Sequence, residues 1–199
     1  MMKLEFILAS SSPRRIEMLK AQGYFFRVVK PLVDEFCSIK DPVKNALEVS
    51  IRKARVVATK NPNKIVLSAD TIVVLNKTIL GKPKNKKDAL MMLTKLNNTT
   101  HTVITAFTIA VYKNSKFKVI SSKTVSSKVV FGNFGKKDYL KYIDTKEPMD
   151  KAGAYAVQGI GAKFIKQIQG SYTNVVGLPL FEVCKCIEIV KLKAGVKTS

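Results

Sequence analysis

The chain has 199 residues, and 46% of them are hydrophobic, which is enough for a sizeable core in one α/β domain or in two closely packed lobes. It has no uninterrupted apolar run of about 18 residues, so we expect no membrane-spanning helix. The formal net charge is +21, yet only five of the 35 basic residues are arginine, the residue with which proteins commonly read guanine. Because the lysines are scattered along the whole chain, the charge favours an anionic substrate over a specific nucleic-acid sequence.

The first third of the chain alternates between strand and helix patterns. An apolar run predicts a strand over residues 4–9, and a helix is predicted over residues 13–21 because Gly23 gives a stop just past its end. Asp41-Pro42 combines an N-cap residue with a proline at the first helical position, which predicts the start of a second helix. Apolar residues then recur at helical spacing up to Asn61-Pro62, where this helix is expected to end.

The remainder of the chain is richer in β patterns. A continuous apolar run predicts a buried strand over residues 65–69, and Asn76-Lys77 is typical of a hairpin turn between strands 72–75 and 78–80. The further predicted elements are, in order, helix 86–96, strand 101–112, strand 116–131, helix 136–143, strand 162–168 and helix 179–191. This order predicts an α/β fold with a mixed central sheet, in a single domain that covers residues 1–199.

The segment Ser10-Ser11-Ser12-Pro13-Arg14-Arg15 lies between the first predicted strand and the first predicted helix. Unpaired backbone N–H groups at a helix N-terminus bind phosphate, and Ser10 and Ser12 add hydroxyl donors. Arg14 and Arg15 add planar guanidinium groups that suit phosphate oxygens. The segment therefore predicts a phosphate site, with an ordinary serine-capped helix that carries two exposed arginines as the alternative.

Two carboxylates are candidates for metal binding or for activating water. In open α/β sheets ligands bind beyond the carboxyl ends of the strands, which is where the pattern puts Asp70. A carboxylate there can bind a divalent cation or deprotonate water. Glu35, beside Asp34, is the second candidate, because Mg²⁺ binds through one or two carboxylates plus substrate phosphates. The alternatives are an Asp70 that caps the next turn and an exposed acidic turn at Glu35.

Three further residues, Lys82, Lys53 and Gln158, are weaker candidates. Lys82 lies between a glycine and a proline and can neutralise phosphate, whereas Lys53, inside the second predicted helix, is most simply explained by an exposed helix face. Gln158 lies in a glycine-punctuated stretch and offers an amide that can read a base edge. His101 is the only histidine, so it supports neither a triad nor a histidine metal cluster, and we interpret it as structural.

The N-terminus and the cysteines predict a cytoplasmic protein. The apolar run at residues 6–9 is shorter than the roughly 7–15 residues of a signal-peptide core. Cys37, Cys184 and Cys186 form an odd set without repeated spacing, which argues against a disulfide framework and favours reduced thiols.

Motifs along essentially the whole chain, from about residue 4 to residue 190, resemble the Maf family of nucleotide pyrophosphatases when they are taken in order. The matching stretches are Leu8-Ala9-Ser10-Ser11-Ser12-Pro13-Arg14-Arg15, Val33-Asp34-Glu35, Lys53-Ala54, Ala69-Asp70-Thr71, Gly81-Lys82-Pro83, His101-Thr102-Val103, Thr105-Ala106, Glu147-Pro148-Met149-Asp150-Lys151-Ala152-Gly153-Ala154-Tyr155, Gln158-Gly159, Gly170-Ser171-Tyr172 and Val176-Gly177-Leu178-Pro179. Each stretch is short, and the ordered set is specific.

The resemblance implies a fold, a cofactor and roles for individual residues. The fold is similar to that of inosine triphosphate pyrophosphatase, with a mixed sheet in two lobes and a cleft between them. A divalent cation, Mg²⁺ or Mn²⁺, and a homodimer are also implied. The family's proton acceptor, which also binds the metal, falls on Asp70. Its phosphate and metal contacts fall on Ser10, Ser12, Arg15, Glu35, Lys53 and Lys82, and its base-discriminating positions on Arg14, Thr71 and Gln158.

Three positions distinguish two branches of the family. The branch that prefers dTTP and UTP carries the residues found here at Pro13-Arg14-Arg15, Asp70-Thr71 and Gln158-Gly159. The branch that acts on 7-methyl-GTP has an aromatic residue after the proline, glutamine after the aspartate, and glutamate in place of the glutamine. This chain departs from the family at residues 97–100 and 132–135, both away from the residues with implied roles.

We therefore expect an enzyme that hydrolyses dTTP and UTP, or modified pyrimidine nucleotides, to the monophosphate and pyrophosphate, as housecleaning of the nucleotide pool. Two alternatives stay open. One is a pyrophosphatase for 7-methyl-GTP. The other is a basic nucleic-acid-binding factor that affects cell division, against which the scattered lysines, the lack of RNA-binding aromatic motifs and the acidic Asp70 site all argue.

Overall fold

The computed structural model describes residues 5–193, so the first residue of the predicted strand 4–9 lies outside the described part. The strands are β1 (Phe6–Ala9), β2 (Phe26–Val28), β3 (Ile65–Leu75), β4 (Thr78–Leu80), β5 (Thr100–Lys113), β6 (Lys116–Phe131) and β7 (Ile165–Gln169). The helices are α1 (Pro13–Ala21), α2 (Pro42–Thr59), α3 (Lys86–Leu96), α4 (Lys136–Asp144), α5 (Tyr172–Val176) and α6 (Leu180–Lys193). Short 3₁₀ turns cover Glu147–Asp150, Ala152–Ala154 and Ile160–Phe164.

The strands form a mixed seven-stranded sheet in the order β2-β1-β3-β5-β6-β7, with β4 paired to β3. The pairs β1–β2 and β1–β3 are parallel, and the pairs β3–β4 and β6–β7 are antiparallel. The predicted α/β fold class with a mixed sheet is thus confirmed. Within the described residues the chain divides into two compact units, the first comprising residues 5–70, 105–124 and 177–193 and the second comprising residues 71–104 and 125–176.

The first unit is built around the short strand β1, which is buried over its whole length. Phe6 and Leu8 pack in a cluster with residues of α6, whereas Ile7 and Ala9 pack with residues of α2. Since successive side chains of a strand point to opposite faces, α6 and α2 cover the two faces of the sheet. Because both faces of β1 are buried, the sequence of this strand is a continuous apolar run.

The second unit has its own core, which includes Phe131, Tyr139 and Phe164. Its hairpin pairs β3 with β4, and Asn76 and Lys77 at the turn have φ values of 48° and 66°. Two successive positive φ values are typical of the two-residue turn whose twist matches that of paired strands. The predicted hairpin at Asn76-Lys77 is therefore confirmed.

Several sequence-based assignments need correction. Asp70 does not end a strand, because β3 continues without a break to Leu75 through the strand-forming run at residues 72–74. The first half of predicted strand 162–168 is a 3₁₀ turn, and only residues from Ile165 onward pair with β6. The predictions missed β2 and α5, which are three and five residues long. The single domain over residues 1–199 and the cleft stay predictions.

No helix among residues 5–193 combines the length and the apolar character that crossing a membrane requires. The three cysteines, Cys37, Cys184 and Cys186, are free thiols.

Candidate active site

The turn from β1 into α1 has the geometry of a phosphate-binding helix start. Ser12 is the N-cap residue with an extended backbone, and Pro13 opens the helix. The Ser12 side chain makes no capping hydrogen bond. Instead, the buried Ser10 Oγ accepts a hydrogen bond from the Ser12 backbone N–H at 3.2 Å. The remaining N–H groups of the first turn of α1 carry the partial positive charge that attracts phosphate.

Arg15 is buried rather than exposed, and hydrogen bonds from its guanidinium hold this turn in place. Its Nε donates to the Gly177 carbonyl at 2.8 Å, and its Nη1 donates to the Ala69 carbonyl at 2.9 Å and to Ser10 Oγ at 3.3 Å. Burial lowers the pKa of the Arg15 guanidinium, and the nearby Asp70 charge opposes that shift. The alternative of two exposed arginines is therefore wrong for Arg15, while Arg14 is half-buried.

The central feature of the site is an ammonium between two carboxylates. Lys53 Nζ lies 2.7 Å from Asp70 Oδ1 and 2.7 Å from Glu35 Oε1. The Lys53 side chain is 6% exposed and that of Asp70 is 11% exposed, whereas that of Glu35 is 47% exposed. Burial of unpaired charges is costly, so this pairing explains how a lysine is tolerated inside α2. The simplest interpretation of Lys53, an exposed helix face, is wrong.

Asp70 lies next to the turn from β1 into α1 because of strand register. Strand β1 pairs with β3 only as far as Ala9, which lies opposite Ser68. Beyond that point β3 continues to Asp70, while the first strand has already turned away at Ser10. The Arg15 bond to the Ala69 carbonyl ties the two segments together. The site thus still lies beyond the carboxyl end of a parallel strand, but that strand is β1 rather than β3.

The irregular segment that carries Glu35 is held by side chains of α2. Arg52 Nη1 donates to the Phe36 carbonyl at 2.9 Å. The buried Asn45 donates through Nδ2 to the carbonyls of Cys37 and Ile39, at 3.0 and 2.9 Å. These bonds give a segment without regular structure a defined path. Sequence reasoning missed Asn45 and Arg52, and only the uncommon placing of an asparagine on the apolar face of a helix could have indicated Asn45.

Hydrogen bonds between buried hydroxyl groups hold α2 against the sheet about one helical turn before Lys53. Ser50 Oγ lies 2.7 Å from Thr108 Oγ1, and Ser68 Oγ donates to the Ser50 carbonyl at 2.7 Å. Buried hydroxyl groups that are satisfied in this way hold neighbouring elements in one register. Sequence reasoning missed these three residues as well, because each lies in a run that reads as ordinary helix or strand.

The carboxylate pair suits a divalent cation in one respect. Glu35 and Asp70 both lie within hydrogen-bond distance of the Lys53 ammonium, so their hard oxygen donors lie close to each other. No group of three or more His, Cys, Asp or Glu side chains among residues 5–193 could hold a metal by itself. Two carboxylates without further protein ligands are the donor set of a Mg²⁺ ion that substrate phosphates complete. The residues therefore fit a cation that is shared with a substrate.

The remaining three predicted site residues, Thr71, Lys82 and Gln158, belong to the second unit. Thr71 follows Asp70 in β3 and is half-buried. Lys82 is exposed just after β4, next to Gly81, whose carbonyl accepts a hydrogen bond from the Gly153 N–H at 3.0 Å. Gln158 is exposed in the loop before the 3₁₀ turn Ile160–Phe164.

His101 is buried in the second unit, as its structural interpretation requires. Its Nε2 lies 2.7 Å from the Tyr155 hydroxyl, and its ring packs edge-on against Phe131 and Tyr155. Burial lowers the pKa of His101 to about 4, which keeps the ring neutral at neutral pH.

Two solved structures are similar to this chain over nearly its whole length. The Ham1 protein of Staphylococcus aureus gives a TM-score of 0.50 at 19% identity and covers 94% of this chain and 99% of its own. A HAM1 protein from Coxiella burnetii gives a TM-score of 0.51 at 15% identity with the same coverage. At these identities the likeness bears on the fold alone, and it agrees with the predicted fold class.

Relatives found by sequence comparison share a much higher sequence identity with this chain than the two solved structures do. A protein of Desulfotalea psychrophila is 43% identical over 178 residues, which is 89% of this chain and 90% of its own length. A protein of Dictyoglomus thermophilum is 45% identical over 181 residues, or 90% of this chain and 92% of its own. Both are named dTTP/UTP pyrophosphatase. The family model described as Maf-like protein matches residues 5–190, and the chain therefore belongs to the Maf family.

Proposed function

We propose that this chain is a nucleoside triphosphate pyrophosphatase that hydrolyses dTTP and UTP, or modified pyrimidine nucleotides, to the monophosphate and pyrophosphate. The observation that carries the proposal is the Lys53 ammonium held between Asp70 and Glu35, next to the phosphate-binding start of α1. The names of relatives that are more than 40% identical over about nine tenths of the chain support the substrate class.

In the proposed reaction, residues of the first unit have separate roles. The N–H groups at the start of α1, with Ser10 and Ser12, bind phosphate oxygens. Asp70 orients a water molecule and takes its proton as the water oxygen bonds to the α-phosphorus. The bond from that phosphorus to the bridging oxygen breaks, and pyrophosphate leaves with the electron pair. Lys53 holds the Asp70 carboxylate in one position, and Arg15 holds the turn that binds the phosphate.

Glu35 and Asp70 would hold a divalent cation, Mg²⁺ or Mn²⁺, together with the substrate phosphates. When it is bound, the cation polarises the phosphate and offsets its charge. The exposed Lys82 offsets further negative charge on the pyrophosphate. Removing divalent cations with a chelator should therefore abolish turnover, and added Mg²⁺ or Mn²⁺ should restore it.

Arg14, Thr71 and Gln158 are our candidates for base discrimination. They support the pyrimidine substrates because the 7-methyl-GTP branch of the family has different residues at all three positions. The Gln158 amide offers both a donor and an acceptor to a base edge, and its side chain is exposed. The resemblance also supports a homodimer, and the reduced thiols support a location in the cytoplasm.

A substrate panel tests the proposed reaction. Purified protein is incubated with dTTP, UTP, GTP, 7-methyl-GTP and ITP in the presence of Mg²⁺ or Mn²⁺, and the products are identified. We expect monophosphate and pyrophosphate from dTTP and UTP at the highest kcat/KM. Preferential turnover of 7-methyl-GTP would assign the chain to the other branch. No turnover in a folded sample would contradict the proposed function.

A further inference from the structure

The loop that carries Gln158 is fixed at both of its ends by two side chains, Tyr142 and Glu147. Tyr142 lies near the end of α4 and is 1% exposed. Glu147 opens the 3₁₀ turn that follows α4. The Tyr142 hydroxyl donates to Glu147 Oε1 at 2.9 Å and accepts a hydrogen bond from the Ala156 N–H at 3.1 Å. One hydroxyl thus joins the glutamate to the first residue of the loop.

The Glu147 carboxylate holds the other end of the loop. Its Oε2 accepts from the Ile160 N–H at 3.0 Å, and its Oε1 accepts from the Gly161 N–H at 3.0 Å. With the Tyr142 hydroxyl, this carboxylate accepts three hydrogen bonds. Hydrogen bonds to a charged acceptor are roughly twice as strong as those between neutral groups. The backbone at residues 156 and 160–161 is therefore held by hydrogen bonds to the same two side chains, Tyr142 and Glu147. Gln158 lies in the loop between these held positions.

Two glycines show how closely the loop lies against this pair. Gly159 has a φ of 88°, and a Cβ atom there would lie 2.6 Å from Glu147 Oε2. A Cβ atom on Gly161 would lie 2.5 Å from the Tyr142 hydroxyl oxygen. Such distances are below any normal contact, so a larger residue at either position would displace the loop or the side chain against which it lies. The glycine spacing around Gln158 thus fits a loop that must lie on Glu147 and Tyr142.

We infer that Tyr142 and Glu147 are positioning residues for base discrimination, because they fix the loop that presents Gln158. The inference rests on the proposed function, in which Gln158 reads the base. A side chain on a free loop loses conformational entropy when it binds, and pre-ordering of the loop removes that cost. Neither residue needs to contact the nucleotide, since both act through the backbone at residues 156 and 160–161.

The test compares Tyr142→Phe and Glu147→Gln with a matched control. Tyr139→Phe also removes a hydroxyl from a buried tyrosine of α4, but that hydroxyl donates to Asn97 at 2.7 Å and not to the loop. Hydrogen exchange is measured at the amides of Ala156, Ile160 and Gly161. We expect faster exchange in both loop-fixing variants, including the conservative Tyr142→Phe, and wild-type exchange in the control. Equal protection in all three variants would overturn the inference.

The second readout is the ratio of kcat/KM for UTP to that for CTP, two ribonucleotides that differ at the 4-position edge of the base. We expect this ratio to fall about tenfold in Tyr142→Phe and Glu147→Gln and to be retained in Tyr139→Phe. In a Gln158→Ala background the same substitutions should cause no further fall, because they act through Gln158. Faster amide exchange with an unchanged UTP-to-CTP ratio of kcat/KM would overturn the link to specificity. An equally large fall of that ratio in the Gln158→Ala background would also overturn it. Absence of pyrophosphate release from UTP by the wild type would instead contradict the proposed function, and the exchange measurement would still test the loop.

Discussion

At the scale of single residues, the Lys53 ammonium determines how the two candidate carboxylates are arranged. Each of its partners lies at 2.7 Å, and the group is almost fully buried. Removing one member of a buried charged set leaves the others uncompensated, which usually costs several kcal/mol. The arrangement therefore stabilises the fold and also holds Asp70 where it can meet a water molecule. In the proposed mechanism, stability and catalysis therefore depend on the same three side chains.

The proposed role of Asp70 as proton acceptor predicts the behaviour of Asp70→Asn. Asparagine has nearly the same shape, but its amide cannot take a proton, so we expect turnover to fall by about 10²–10⁴-fold. The variant should still fold, although less stably, because Lys53 keeps its Glu35 partner, and circular dichroism checks the fold. Asp144→Asn is the control, since it removes an exposed carboxylate that pairs with Lys86. Wild-type turnover in Asp70→Asn would contradict the assignment.

His101 predicts part of the pH dependence of stability. Its pKa is about 4 in the folded protein and about 6.5 in an unfolded chain, so the unfolded chain binds the extra proton between these values. Stability from this group is complete above pH 6.5 and is lost as the pH falls towards 4, by about 3 kcal/mol in total. Urea unfolding at pH 7.5 and 4.5 should show a larger loss for the wild type than for His101→Asn. Equal losses would contradict the buried neutral ring.

The sequence offers candidate site residues, but it does not give their environments. Lys53 looks like one more lysine in a lysine-rich chain, and only the fold shows that it is buried between carboxylates. Arg15 looks like a free phosphate ligand, whereas its donors bond to two carbonyls and to Ser10. Long-range partners of this kind lie up to 162 positions apart in the chain, and no local pattern encodes them.

At the scale of elements, the helices α1, α2 and α3 begin in different ways. The side chain of Asp41 caps α2 by accepting from the Lys44 N–H at 2.8 Å, and Asn85 caps α3 by accepting from the Asp88 N–H at 2.9 Å. Ser12, at the start of α1, makes no such bond. An N-cap hydroxyl that makes no hydrogen bond to its own helix can donate to a ligand instead. The missing cap on α1 is therefore consistent with phosphate binding there.

This difference predicts opposite outcomes for two alanine variants. Asp41→Ala should lower the free energy of unfolding by about 1 kcal/mol, because it removes a capping bond. Ser12→Ala should change it much less but should raise KM for dTTP, since in the proposed mechanism the lost hydroxyl donates to a phosphate oxygen. Urea unfolding and steady-state kinetics measure the two effects. A stability loss in Ser12→Ala as large as that in Asp41→Ala would contradict the uncapped helix start.

Helix boundaries could be predicted well because their signals are local. The Asp41-Pro42 pair and the range of α3 agree with the structure. Short elements could not be predicted, because β2 exists through its pairing with β1 and α5 has only five residues. The continuation of β3 through Asp70 was missed for a related reason. The polar pair Asp70-Thr71 within an apolar run resembles a strand end. The sequence does not show that Asp70 has a buried partner, Lys53.

At the scale of the whole molecule, the catalytic candidates are unequally divided. Ser10, Arg15, Glu35, Lys53 and Asp70 all belong to the first unit, whereas Thr71, Lys82 and Gln158 belong to the second. The proposed chemistry therefore rests mainly on residues of the first unit. The net charge of +21 favours the approach of any triphosphate, so it contributes to rate more than to choice of substrate.

The central claim is that water attacks the α-phosphorus of a pyrimidine triphosphate. The most direct test is hydrolysis of dTTP and UTP in water enriched in ¹⁸O, with Mg²⁺ present, followed by mass spectrometry of the products. Our account predicts one ¹⁸O atom in the monophosphate and none in the pyrophosphate. Label in the pyrophosphate would show attack at the β-phosphorus, and release of labelled orthophosphate would show attack at the terminal phosphate. Either result would contradict the account.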